Sequence, residues 1–199
     1  LEQSSLYGLA YASITAISFF WSLYAGSLID RYSRKRIFQV SKLTCAVVIG
    51  GVATSGYVLG YVPAGLALLS YAVTFFNFNI HYPNLYAFGQ EITAKEDFGK
   101  LNSYIEVQGQ ATNALAGGLA AIVLSGQEAG FLTIGGWLPF EIPQLALHQI
   151  LAIDAATYLA SFSIVSFIRY QPMQERSGTP ASVVTRVREG LTYLRSRPN

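Results

Sequence analysis

The sequence predicts an all-α membrane protein, because it is apolar, carries few charges and contains several stretches long enough to cross a bilayer. Of its 199 residues, 52% are hydrophobic and 12% are charged, and the mean hydropathy is +0.37. An average soluble domain has about 25% charged residues. The formal net charge of +2 is too small for a nucleic-acid-binding surface. We therefore expect the lipid bilayer, and no nucleic acid, as a partner.

Five apolar stretches have the roughly 20 residues that a helix needs to cross the hydrocarbon core. We predict membrane spans at residues 6–29, 37–61, 64–88, 101–125 and 149–170. Residues 1–170 then form a partial transmembrane unit, and residues 171–199 form a cytoplasmic linker. The apolar residues between 183 and 194 fall on one helical face, which predicts an amphipathic helix. That helix either lies on the membrane interface or packs as a soluble linker helix.

The basic residues indicate how these spans are oriented, because Lys and Arg accumulate in short cytoplasmic loops. All 13 lie in or next to residues 30–36, in residues 89–100, or at the end of the last span and beyond it, if Lys42 is counted with the first connection. The alternate connections, 60–65 and 126–148, contain none. We therefore predict that residues 30–36, 89–100 and 171–199 are cytoplasmic. A soluble helical bundle would not separate its charges in this way.

The first connection combines a glycine, an acid four positions later and a basic cluster. Its members are Gly26, Asp30, Arg31, Arg34 and Lys35. This pattern resembles the signature between the second and third helices of major facilitator transporters, although Ser33 stands where that family usually has glycine. The phrases at 100–103 and 188–198 resemble the bacterial drug-export-like branch of the same superfamily.

The resemblance covers nearly the whole chain and implies a partial N-terminal six-helix half of the major facilitator fold. The chain would supply helices two to six and the central linker, while the first helix and the C-terminal half would lie outside it. The resemblance also implies an integral protein of the bacterial plasma (inner) membrane. One departure concerns the fifth helix, where Gly117 and Gly118 match the second half of the antiporter phrase but the helix-bending proline is missing.

In such transporters the signature is a conformational gate, and the resemblance carries this role to Gly26, Asp30, Arg31, Arg34 and Lys35. A carboxylate at a helix end can accept hydrogen bonds from the N-terminus of another helix. The resemblance implies that this second helix belongs to the other half of the transporter, and that the contact forms in one state and breaks in the other. The alternative is an ordinary positive-inside loop.

Two polar stripes occur within the predicted spans, each at helical spacing. The first is Asn77, His81 and Asn84, and the second is Glu106, Gln110 and Asn113. The stripes either line a water-filled cavity or make hydrogen bonds that hold the helices together. His81 is a candidate for proton coupling or a structural imidazole, and Glu106 either carries protons or pairs with the basic loop.

These features predict a secondary active transporter that works by alternating access, with proton-coupled export of an amphipathic, drug-like small molecule as the leading hypothesis. The alternatives are an uptake symporter of the same fold, a membrane sensor or scaffold, and a membrane-embedded enzyme. The enzyme ranks lowest, because the chain has two histidines and one cysteine and lacks an HExxH motif. We expect neither a metal nor an organic cofactor.

Overall fold

The computed structural model describes residues 2–125 and 144–170, with side chains for 7–120 and 144–170. The described residues form long α-helices and one short 3-10 helix, and they contain no strand. The long helices are α1 (Glu2–Arg31), α2 (Arg34–Leu59), α3 (Ala64–Ile92), α4 (Phe98–Ser125) and α5 (Leu147–Phe167). The 3-10 helix, Lys95–Asp97, connects α3 to α4. The predicted all-α class is confirmed for this part of the chain.

The five long helices follow the predicted spans in order, although their ends differ by several residues. Within the described residues, three stretches are long and apolar enough to cross a membrane: Tyr7–Arg31, Arg34–Leu59 and Leu147–Phe167. These helices are compatible with an integral membrane protein. Helices α3 and α4 have 29 and 28 residues, but amides and acids interrupt their apolar residues. The predicted linker at 171–199 and the connection at 126–143 lie outside the described residues.

The connection between α1 and α2 is shorter than the sequence predicts, because most of residues 30–36 are helical. Only Tyr32 and Ser33 separate the two helices. The Ser33 hydroxyl oxygen accepts a hydrogen bond from the Arg36 backbone N–H at 3.3 Å and so caps the N-terminus of α2. This cap explains a serine at the position where a turn glycine was expected. At the other end of α2, Gly60 adopts the left-handed conformation, with φ 76°.

Helices α2 and α5 run antiparallel and pack closely along their length. A Cβ atom on Gly56 would lie 2.5 Å from the Cβ of His148, so only glycine allows this approach. Further along, Cys45 and Ile49 form a buried cluster with Ala155, against which α3 places Val73. The absence of a side chain at Gly56 therefore brings the two helices together at one end of their contact.

Helix α3 contacts α1 on one side and α4 on another. Toward α1, the Trp21 indole N–H donates to the Phe76 carbonyl at 2.9 Å, and the Ser22 hydroxyl donates to Asn79 Oδ1 at 3.1 Å. Toward α4, a Cβ on Gly89 would lie 2.8 Å from Leu101 Cδ2. Helix α3 is therefore the common neighbour of α1, α2 and α4.

Candidate functional site

The residues of the signature point in different directions in the structure. Asp30 and Arg31 lie on the last turn of α1 and are exposed. Gly26 is also exposed, and a Cβ atom there would meet no atom within 4 Å. Arg34, by contrast, is only 7% exposed, although it opens α2 three residues after Arg31. The signature is thus divided between an exposed helix end and a buried contact.

Arg34 lies in a polar cluster that joins α2, the end of α3 and the segment after α5. Its Nε lies 3.7 Å from Glu91 Oε1, and the Tyr170 hydroxyl donates a hydrogen bond to the other oxygen of Glu91. The Asn84 amide donates to the Arg34 carbonyl at 3.0 Å. Buried charges need partners, so these contacts connect α2, the end of α3 and the segment after α5.

Lys35 caps the C-terminus of α5. Its ammonium donates to the carbonyl oxygens of Ser166 at 2.9 Å and Ile168 at 2.7 Å. The last carbonyls of a helix have no partner within the helix, and the helix dipole favours a cation there. Gln39 adds a side-chain hydrogen bond to Ser166 at 3.0 Å. Lys35 therefore has a structural contact inside the described bundle, and its role in a gate stays a prediction.

The stripe of Asn77, His81 and Asn84 faces α2. Asn84 is 0% exposed and is used in the contact with Arg34. The His81 ring packs edge-on against Phe38, with ring centroids 5.4 Å apart, and within the described residues its Nδ1 has no hydrogen-bond partner. Asn77 lines a cavity, which is described below. One stripe therefore contains three different environments.

The stripe on α4 is exposed, and Tyr86 of α3 approaches it. The Gln110 amide donates to Glu106 Oε1 at 2.9 Å, and the Tyr86 hydroxyl lies 3.5 Å from Glu106 Oε2. Asn113 is exposed one turn further along. The two stripes thus point toward different neighbours, and the cavity role of the second one stays a prediction.

The structure also buries a charged side chain that the sequence predicts in or just after the first connection. Lys42 lies about two turns into α2, is 9% exposed, and places its ammonium 5.3 Å from the centre of the Tyr158 ring. Asp154 on α5 attracts it electrostatically. The sequence did contain a sign that Lys42 is buried, because a long apolar stretch follows it. An ionisable residue within a span is costly unless it is paired.

A cavity of about 500 Å³ lies between α1, α2 and α3. Its volume is within the roughly 300–1,000 Å³ that is typical of sites for small ligands. The walls are largely apolar, and the residues fall at helical spacing on each helix. The cavity is lined by Trp21 and Leu28 of α1, by Tyr32 of the connection, by Arg36, Ile37, Val40, Ser41, Thr44 and Cys45 of α2, and by Val73, Phe76, Asn77 and Ile80 of α3.

Glu106 of α4 is absent from this lining, so the cavity and the exposed polar face of α4 are separate features. The structure therefore has two distinct surfaces. One is the apolar cavity, which includes the basic Arg36, and the other is the polar face of α4, which includes the acidic Glu106. No family model, curated protein or solved structure matches the chain.

Proposed function

We propose that the chain is part of a secondary active transporter of the major facilitator kind, which exports an amphipathic small molecule by alternating access with protons as the coupling ion. The observation that supports this most directly is the exposed polar face of α4, formed by Glu106, Gln110 and Asn113. An acid within a membrane-spanning helix is costly to insert unless it is paired or meets water. Such a face is tolerated where it meets protein or water, as in a transport pathway.

Glu106 is the coupling group in this proposal. Its carboxylate is exposed on the polar face, and Tyr86 and Gln110 supply neighbouring hydrogen-bonding groups. In this proposal, the first helix and the second half of the transporter lie opposite this face. Asp30, exposed at the end of α1, keeps its proposed role in the gate, while Arg34 and Lys35 support it from within the bundle.

Transport by the full-length protein tests the proposal. Proteoliposomes would be given a pH gradient and a cationic amphipathic dye such as ethidium, together with other amphipathic compounds. We expect flux that depends on the gradient and stops when a protonophore collapses it. Flux of the same rate with and without the pH gradient would contradict proton coupling. Flux in the inward direction would favour the uptake symporter. No flux for any compound would count against transport and favour a sensor or scaffold.

Two test substitutions and one control sharpen this experiment. Glu106→Gln should remove most of the gradient-dependent flux, whereas Glu96→Gln, in the exposed 3-10 helix, should leave it unchanged. Asp30→Asn should impair transport with little loss of membrane insertion. Full transport by Asp30→Asn would refute its role in the gate.

A further inference from the structure

We propose that the cavity between α1, α2 and α3 binds an anionic phospholipid, with the acyl chain against its apolar walls and the headgroup phosphate at Arg36. This inference goes beyond transport. It rests on the membrane placement of the helices and on the cytoplasmic position of the connection between α1 and α2. It is independent of any substrate or coupling ion.

The shape of the cavity follows from how the helices pack. Helix α1 packs mainly on α3, while α2 packs mainly on α5 and α3, so α1 and α2 separate beyond their short connection. The Trp21 indole is held against the α3 backbone by its hydrogen bond to Phe76, which gives one wall a fixed position. The result is a space of about 500 Å³ between three long helices, which has room for a hydrocarbon chain.

The walls of the cavity favour an apolar occupant along most of their length. Leu28, Ile37 and Val40 line the part nearest the connection, and Val73 and Phe76 line the part on α3. Val40 is 58% exposed, so this side of the cavity is open at the surface of the bundle. An acyl chain could therefore enter sideways from the bilayer, without passing through an aqueous pathway.

The polar end of the cavity selects the charge of the headgroup. Arg36 and Tyr32 lie at the end nearest the connection, and Arg36 is exposed. Within the described residues, no side-chain partner of Arg36 is found, in contrast to Arg34 beside Glu91. Arginine binds phosphate oxygens with two parallel hydrogen bonds, and basic pockets between helices on the cytoplasmic side bind anionic headgroups. The dipole at the N-terminus of α2 adds to this preference.

Lipid binding can be measured by native mass spectrometry of the full-length protein in detergent, titrated with phosphatidylglycerol or phosphatidylcholine. We expect phosphatidylglycerol to bind at least about tenfold more tightly, which corresponds to roughly 1.4 kcal/mol. Glycerol phosphate, which has the headgroup chemistry without the chains, should bind far more weakly. Equal binding of the two lipids would overturn the proposal, and equal binding of glycerol phosphate would assign the site to a soluble anion.

Matched variants locate the lipid in this cavity. Arg36→Gln should weaken phosphatidylglycerol binding about tenfold, while Lys95→Gln, an exposed cation on the 3-10 helix, should not. Val40→Trp should fill the cavity and displace the chain, whereas Val47→Trp, at an exposed position of α2 outside the lining, should have no effect. Unchanged binding in both Arg36→Gln and Val40→Trp would exclude this site, whether or not the protein transports.

Discussion

Helices α2 and α4 have similar lengths, 26 and 28 residues, but they bury very different parts of their surfaces. Ten residues of α2 are buried, including the charged Arg34 and Lys42. On α4, the buried side of the described residues is limited to Ile105 and Gly109, while Leu115 is 67% exposed. Helix α2 has its neighbours within the described bundle, and α4 presents most of its surface outward. The first of the following predictions tests this difference directly, and the other two test contacts that α2 makes within the bundle.

The largest effect is expected for Ile49→Ala in α2. Ile49 is 0% exposed and packs in the cluster with Cys45 and Ala155, so truncation should leave a cavity. The expected loss in the free energy of unfolding is about 2–5 kcal/mol. Denaturation in mixed detergent micelles would measure it. Leu115→Ala on α4 is the control, with an expected change of about 0.5 kcal/mol or less. Equal losses would show that α4 is packed as tightly as α2.

A smaller effect is expected for Gly56→Ala. The new methyl group would meet His148 and Val62 at 2.5 and 2.9 Å, which forces α2 and α5 apart. We expect a loss of about 1–3 kcal/mol in unfolding free energy. Gly51→Ala is a control on the same helix, because no atom lies within 4 Å of its added Cβ. Its better helix propensity should leave stability unchanged or slightly raised. A stable Gly56→Ala protein would contradict the close contact of the two helices.

The smallest effect is expected for Lys35→Met, which removes the cation from the C-terminus of α5. Two hydrogen bonds to the carbonyls of Ser166 and Ile168 would be lost, and we expect a cost of about 1 kcal/mol. Hydrogen exchange of the last turn of α5 should accelerate more than that of the rest of the helix. Lys95→Met provides the comparison, since Lys95 is exposed. Unchanged exchange in Lys35→Met would show that this contact does not hold the helix end.

The sequence predicted where helices occur more reliably than it predicted where they end. Apolar composition over a long window is a local property, so all five long helices could be anticipated. Their ends depend on individual caps, such as Ser33 before α2 and Gly60 after it. The connection at 30–36 was predicted as a loop because its residues are charged, but most of them continue α1 or begin α2. Charge is compatible with a helix end, so it does not identify a loop.

The roles of individual polar residues were harder to anticipate. Helical spacing placed Asn77, His81 and Asn84 on one face, and the structure has them along the side of α3 that faces α2. The spacing does not say what α2 presents to each of them: a cavity wall, the ring of Phe38 or the Arg34 carbonyl. For the same reason, Lys42 was counted with the first connection, although α2 buries it against Tyr158.

The sequence by itself determined the helical class, the apolar stretches and the separation of basic connections from connections without Lys or Arg, because these properties depend on composition along the chain. Only the tertiary structure decided that Arg34 and Lys35 turn inward while Asp30 and Arg36 stay exposed. The physical reason is that a helix's rotation is set by how it packs against its neighbours. Adjacent residues differ by about 100° around the helix axis, so neighbours in sequence can meet opposite environments.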